Sequence, residues 1–423
     1  MKKSWLAIGL IAALSVLIVI ALVRFTGGPP EPEYHGRKLS AWMQDLDSPY
    51  PPMQTNALFA IKQIGTNAVP YLIVQMHHPK DSPFKRKCME LLKRQHWVNI
   101  HFHYDFVAHM EAFQTLAILG PDGKAAIPDL ANLLSNPEIA GDQAEAVYAL
   151  SHIGPSSLPI LENALTSSNQ GARMDAANGL RILGAPSSVP NLLAALKNPD
   201  PYTRGEVVTA LQRFPGQANV IVPALTNYID DTDELFQVRI AQTLGSFGPA
   251  ALPAFPNLLR MVPGTDYDVG MEAARALMNI DAGAALAAFT NNLESPDVSV
   301  RRGAARALML FESQGEPAVP FLVNCVKDPD AKVRDSAADA LWRIGADADL
   351  VVPALVENLN DASWMVRQTT AEALGSFGDR AKSAVPQILK LIQDNKGDRP
   401  WSGQLYVALW HIDPQAAAKL TRH

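Results

Sequence analysis

The chain has 423 residues, with 36 Lys and Arg against 42 Asp and Glu, and its formal net charge of −6 offers no basic footprint for DNA or RNA. Hydrophobic residues make up 48% but aromatics only 7%, so Ala, Leu, Val and Ile must build the interior through close packing of small side chains.

Lys2 and Lys3 precede Trp5 to Val23, an uncharged stretch of nineteen residues. As a helix it would reach about 28 Å, close to the thickness of a bilayer core. It is longer than the apolar part of an ordinary signal peptide, and Arg24 follows with no small-x-small cleavage pattern, so residues 5–23 read as an uncleaved signal anchor. The amino terminus with Lys2 and Lys3 outweighs Arg24, which leaves residues 1–4 as a cytoplasmic stub and sends the rest outside. In a bacterium with two membranes this describes a single-pass inner-membrane protein with a periplasmic body. Residues 24–36, with Gly27, Gly28, Pro29, Pro30 and Pro32, read as a linker that lifts the folded part off the bilayer. A first helix is expected from near Leu39, N-capped by Ser40, through Trp42 to Leu46, covering the open end of the helical stack C-terminal to it.

A phrase then recurs about every thirty residues: a helix of small residues ending in Ile-Gly or Phe-Gly, a short turn, and Val-Pro or Leu-Pro opening an apolar helix. Taking the Pro of each second helix as register, the copies fall at Pro70, Pro128, Pro159, Pro190, Pro223, Pro253, Pro320, Pro353 and Pro386, with Ala287 where Pro is missing. Spacings are 30 to 34 residues except the first, which is 58. Gly65, Gly120, Gly154, Gly184, Gly248, Gly345 and Gly378 end first helices, where a left-handed residue closes the last turn. The Pro sits at a helix start, where its missing N–H costs nothing. Such a period predicts an all-α chain, an α-solenoid of about ten helical hairpins over residues 37–423 behind one transmembrane helix, with an irregular insertion at 79–110. Phe84 to Gln95 reads as the first helix of an incomplete unit, and Gln404 to Ile412 as a last first helix that caps the far end. Cys88 and Cys325 are too far apart in a stack of neighbours to meet, so both are expected to pack as small apolar groups.

Asp330, Val333, Arg334, Ala337, Ala338, Leu341, Ile344 and Gly345 match the whole consensus of the HEAT-like repeat first described in phycobilisome lyases, and Asp297, Val300, Arg301, Ala304, Ala305 and Leu308 match most of it. The chain from about residue 55 to 413 therefore resembles HEAT repeats. The stretch Gly36-Arg37-Lys38-Leu39-Ser40-Ala41-Trp42 is similar to the start of many membrane-anchored bacterial HEAT-repeat proteins. The resemblance implies the fold and a binding role, since such repeats serve scaffolds and adaptors more often than enzymes.

Arginines recur one turn into first helices at Arg204, Arg239, Arg301, Arg334 and Arg367, and Asp200, Asp297 and Asp330 stand four residues before theirs. An N-capping Asp followed by an Arg that reaches a neighbouring Asp or carbonyl predicts a structural ladder, not an anion site.

A second ladder lies four residues after each register position: Val74, Asn132, Asn163, Ala194, Asn227, Asn257, Asn291, Asn324, Glu357 and Lys390, six of ten being Asn. Apolar residues fall one before and two and six after the register position, which puts this row on the opposite, open face. If second helices line the concave surface, Asn132, Asn163, Asn227, Asn257, Asn291 and Asn324 form a row of amides able to hold an extended peptide by its backbone. The alternative is that each Asn bonds the adjoining repeat and stiffens the stack.

Six of the ten histidines fall in the long first spacing: His77, His78, His96, His101, His103 and His109. His101, His103, Asp105 and His109 are metal-ligand types at usable spacing, and a metal binder or enzyme centred on 96–109 is the competing function. No Glu or Cys completes a pattern, and Trp97, Phe102, Tyr104 and Phe106 suit a packed segment. No His-Glu dipeptide, phosphate loop, nucleophile elbow or zincin motif occurs, which speaks against a bilin lyase or HEAT-like hydroxylase. The basic run from Lys80 to Arg94 reads as a solvated face. The expectation is a non-enzymatic, membrane-tethered scaffold without a cofactor, binding a protein or peptide and no nucleic acid.

Overall fold

The computed structural model describes residues 29–77, 105–135, 142–394 and 402–420. The expected anchor at 5–23, the start of the linker, the basic run, Cys88, His78, His96, His101 and His103 lie outside the described residues. The rest falls into two compact units that meet in sequence at Leu196 and Lys197.

The first unit opens with an element the linker reading missed. Glu33–Tyr34 and Arg37–Lys38 pair as a two-stranded antiparallel hairpin, with His35 and Gly36 at positive φ making its turn. The helix Leu39–Asp45 follows, but Ser40 is not its N-cap. Ser40 lies inside the first turn, and its N–H donates to Glu31 Oε1 at 2.8 Å, so a carboxylate from the preceding segment does the capping. Arg37 anchors the other end, donating to Asp45 Oδ2 at 2.6 Å and stacking on Trp42 at 4.2 Å. Four helix pairs complete the unit: Pro51–Ile64 with Val69–Met76, Asp105–Leu119 with Ile127–Ser135, Gln143–Ile153 with Leu158–Ala164, and Gln170–Leu183 with Val189–Ala195. The stretch Pro51–Met76 is long and apolar enough to cross a membrane by composition. Gly65, at φ 56 and ψ −136, breaks it into the two helices of the first pair, whose Ile61 and Leu72 are fully buried.

The second unit repeats the plan in six pairs: Pro201–Leu211 with Ala218–Thr226, Glu234–Ser246 with Phe255–Met261, the two halves of Tyr267–Asn292, Val298–Leu308 with Val319–Cys325, Ala331–Ile344 with Ala348–Asn358, and Trp364–Ser376 with Val385–Asp394. Ser402–Ile412 and Pro414–Leu420 end it. Tyr267–Asn292 looks continuous but turns at Asp281, whose φ of −159 and ψ of 96 are not helical. Asp281 Oδ1 accepts from the Ala284 N–H at 2.9 Å and so starts the second half without a proline.

Each pair buries one large apolar residue from each helix, most often leucine, the geometric reason for the period. In the second unit Leu211, Leu244, Leu277, Leu308, Leu341, Leu374 and Leu409 of the first helices are fully buried, as are Leu225, Leu258, Phe289, Leu322, Leu355 and Ile388 of the second. Small residues let first helices approach closely. A Cβ on Gly245 would lie 2.8 Å from Ala276 Cα, and the equivalent Gly375 faces Ala408 in the same way. All seven glycines expected at helix ends have positive φ. Of the three repeats that lack one, that of Val298–Leu308 places Glu312 in the conformation at φ 48, while the other two turn at Phe214 and Asp281 with negative φ.

Of the irregular insertion expected at 79–110, residues 79–104 lie outside the described residues. Residues 105–119 form a regular first helix, so the boundary at residue 110 falls inside a repeat. Cys325 is buried, and burial pushes its thiol up to about 11, as fits a packing group rather than a nucleophile.

Candidate protein-binding face

Second helices are short, and their register follows from which side chains they bury. In Val319–Cys325 the buried residues are Val319, Leu322 and Cys325, with Val326 just beyond, while Pro320 and Asn324 are exposed. The same pattern holds for Leu158–Ala164 with Asn163, for Ala218–Thr226 with Asn227, and for the second half of Tyr267–Asn292 with Asn291. Asn132 is exposed in Ile127–Ser135 as well.

Asn257 does not belong to this row. Its helix starts at Phe255, three residues later than the register assumed, because Gly248–Ala254 forms a 3-10 turn that contains Pro253. The opening proline is Pro256, Asn257 sits directly after it and is half-buried, and the exposed row position is Arg260. The offset from the preceding glycine does not settle the choice, since Gly248 to Pro256 matches the eight residues of Gly120 to Pro128 while Gly248 to Pro253 matches the five of Gly65 to Pro70 and Gly154 to Pro159. In the second unit the row therefore reads Asn227, Arg260, Asn291, Asn324, Glu357 and Lys390, all exposed.

Among the described residues, the amides of Asn163, Asn227, Asn291 and Asn324 make no hydrogen bond. The stiffening role appears one position further on, at Asn358, a buried residue whose Nδ2 donates to the Val326 carbonyl of the preceding repeat at 2.8 Å. Two row residues pair with the preceding repeat at the surface: Arg260 Nη2 with Asp230 at 2.9 Å and Glu357 with Lys327 at 2.9 Å. Their side chains are 59–84% exposed, so water competes with both pairs.

The arginine ladder lies away from this face and is structural. Arg301 Nε donates to Asp328 Oδ2 at 2.7 Å and its Nη1 to the Ser295 and Pro296 carbonyls. Arg334 repeats this with Asp361, Asp328 O and Pro329 O, and Arg204 with Asp231, Asn198 O and Pro199 O. Arg367 donates to the Asp361 and Ala362 carbonyls. Arg239 departs from the pattern and reaches back to Thr209 and Glu206. The accepting Asp also holds the next helix start: Asp328 accepts from the Asp330 N–H, and Asp330 caps Lys332 and Val333. Burial pushes Asp328 and Asp361 up, but the guanidinium and backbone N–H groups outweigh it and hold both carboxyls below the usual range.

The histidine cluster is not brought together by the described residues. His109 is buried on Asp105–Leu119, edge-on to Phe113, with Nε2 2.9 Å from Asp142 Oδ1 but not aligned as a hydrogen bond. His77 is exposed and meets Asp129 at 3.1 Å. Among the described residues no three His, Cys, Asp or Glu side chains converge as a metal site. Sequence reading also passed over an apolar cavity of about 520 Å³ in the second unit, lined by Trp342, Gly375, Val407, Ala408 and His411.

The model for HEAT repeats matches this chain in overlapping windows from residue 127 to 400. No curated protein sequence matches it. Among solved structures it is similar to Kap95p in a complex with RanGDP, at 14% identity and a TM-score of 0.51, over 89% of this chain and 55% of that one. Yeast importin-β alone gives 12% identity and a TM-score of 0.47, over 91% of this chain and 58% of that one. An engineered protein gives 20% identity and a TM-score of 0.29 over 88% and 98%. The chain thus spans a little over half the length of the importin-β chains it matches. With well over half of its length, residues 127–400, covered by the repeat model and its helices paired in that register, the chain belongs to the HEAT-repeat family.

Proposed function

We propose that this protein is a non-enzymatic interaction scaffold that holds an extended segment of another protein on the open face of its second helices. The observation that carries the reading is an exposed amide that recurs at one repeat position, at Asn163 in the first unit and at Asn227, Asn291 and Asn324 in the second, and that packing does not use. An amide offers a donor and an acceptor side by side, as a peptide backbone does, so it can grip a chain whatever its side chains. Kap95p, a structural neighbour, binds RanGDP, in keeping with protein binding by stacked helices. Asn132 holds the same repeat position as Asn163 in the first unit.

The apolar stretch Trp5 to Val23 adds a tether: a bacterial inner-membrane anchor with a cytoplasmic N-terminus and a periplasmic body. Alanine at Asn163, Asn227, Asn291 and Asn324 together should abolish co-purification of a partner from detergent-solubilised membranes while leaving the far-ultraviolet circular dichroism unchanged. Unchanged co-purification would show the row to be idle. For the tether, alkaline carbonate should leave the chain in the membrane pellet, and protease added outside the inner membrane should digest its body; a soluble or protected body would contradict it.

A further inference from the structure

The row in the second unit is not uniform, and its order carries information about the ligand. Successive repeats present Arg260, Asn291, Asn324, Glu357 and Lys390 at the same exposed position. Two amides stand between an arginine and a glutamate, with a lysine one repeat on. Resting on the scaffold reading above, we infer that this unit recognises an extended polypeptide with an acidic residue, a basic residue about nine positions away, and a second acidic residue about three further on.

The spacing follows from two lengths. Helices in contact pack with axes 8–10 Å apart. An extended chain advances about 3.3 Å per residue, so one repeat corresponds to about three residues of ligand. Arg260 and Glu357 are three repeats apart, hence about nine residues, and Asn291 and Asn324 fall between them to hold backbone.

Neither charge is spent on its existing partner. Arg260 engages Asp230 through Nη2 alone, which leaves Nε and Nη1 to donate to a ligand carboxylate. Glu357 meets Lys327 through Oε2, leaving Oε1 to accept from a ligand ammonium or guanidinium. Among the described residues, Lys390 has no ion pair at all. The amides supply affinity without sequence preference and the flanking charges supply register, since a ligand shifted by one repeat would set like charges together.

The test is an array of sixteen-residue peptides in a Ser and Ala background, each with one Asp and one Lys five to thirteen residues apart, so that no pair can span Glu357 and Lys390 alone, probed with the purified full-length chain in detergent. Binding should peak at a separation of eight to ten, with about a two- to five-fold loss at other spacings for each charge misplaced. Arg260→Glu should weaken the preferred peptide and favour one with its Asp changed to Lys; Glu357→Lys should favour one with its Lys changed to Glu. Both residues are exposed, so these variants leave the core intact. Binding that ignores spacing, or an Asp preference that survives Arg260→Glu, would overturn the inference. If such binding is nonetheless lost on Asn291→Ala with Asn324→Ala, the scaffold reading stands and only the charge frame falls. If no peptide binds, or binding is indifferent to both amides, the two fall together.

Discussion

Glu312 stands where seven other repeats place a glycine, in nearly the same conformation as Gly65: φ 48 and ψ −136 against φ 56 and ψ −136. A side chain there holds the backbone in a region that glycine occupies freely, at a cost of about 1 kcal/mol or more. Glu312→Gly should therefore raise the unfolding midpoint, whereas Gly65→Ala should lower it. Glu111 offers a second residue-scale test. It is only 4% exposed on Asp105–Leu119, and burial, helped by the charge of Asp47, raises its carboxyl from 4.5 to about 7. Between those values the folded chain keeps a proton that the unfolded chain releases, so stability falls as pH rises through the window. Glu111→Gln should flatten that fall, gaining about 1–3 kcal/mol relative to wild type at pH 8 over pH 5, measured by denaturant unfolding. Equal pH dependence in both proteins would mean that Glu111 ionises normally.

At the scale of the element, the question is which contacts between repeats carry stability. The Arg334 and Asp361 side chains are 16% and 8% exposed, and the arginine also satisfies two carbonyls. The Arg260 and Asp230 side chains are 63% and 84% exposed and, among the described residues, bond only each other. Arg334→Ala should cost about 2 kcal/mol, and Arg334→Lys part of it, because an ammonium cannot reproduce the planar fork. Arg260→Ala should cost almost nothing. Equal losses would mean that the ladder is incidental. Elements of this kind were largely legible in the chain: Leu, Gly and Pro at fixed offsets carry the packing, the turn and the helix start, and each has a single physical job. The N-cap of Leu39–Asp45 was not legible, because the capping group is Glu31, nine residues upstream of the N–H it accepts from. Asn257 was misplaced because Pro253 opens no helix; it lies in a 3-10 turn, and two prolines three residues apart offer no local means of choosing.

Across the whole molecule, repetition turns small local rules into extended surfaces. Among the described residues nine of ten helix pairs, three of four in one unit and all six in the other, present an exposed residue at the same position, so a substitution harmless to packing is free to vary with function. That freedom is why the exposed row was only half legible. The sequence shows an excess of Asn at one offset, but only the geometry separates the exposed, unbonded Asn291 and Asn324 from Asn358, whose amide is consumed in holding the stack. The histidines show the converse. Their clustering in sequence suggested a site, yet His109 points into a buried setting against Phe113 and Asp142.

The central claim is that the open face of the second helices is where the partner lies. Site-specific photocrosslinking in intact cells tests it most directly, with a photoreactive residue placed in turn at Asn163, Asn227, Asn291 and Asn324, and at the exposed first-helix positions Tyr202, Leu235 and Trp364. Protein adducts of one common mass are predicted from the asparagine positions and none from the first-helix positions. Adducts confined to the first-helix positions, or equal at both, would contradict that claim.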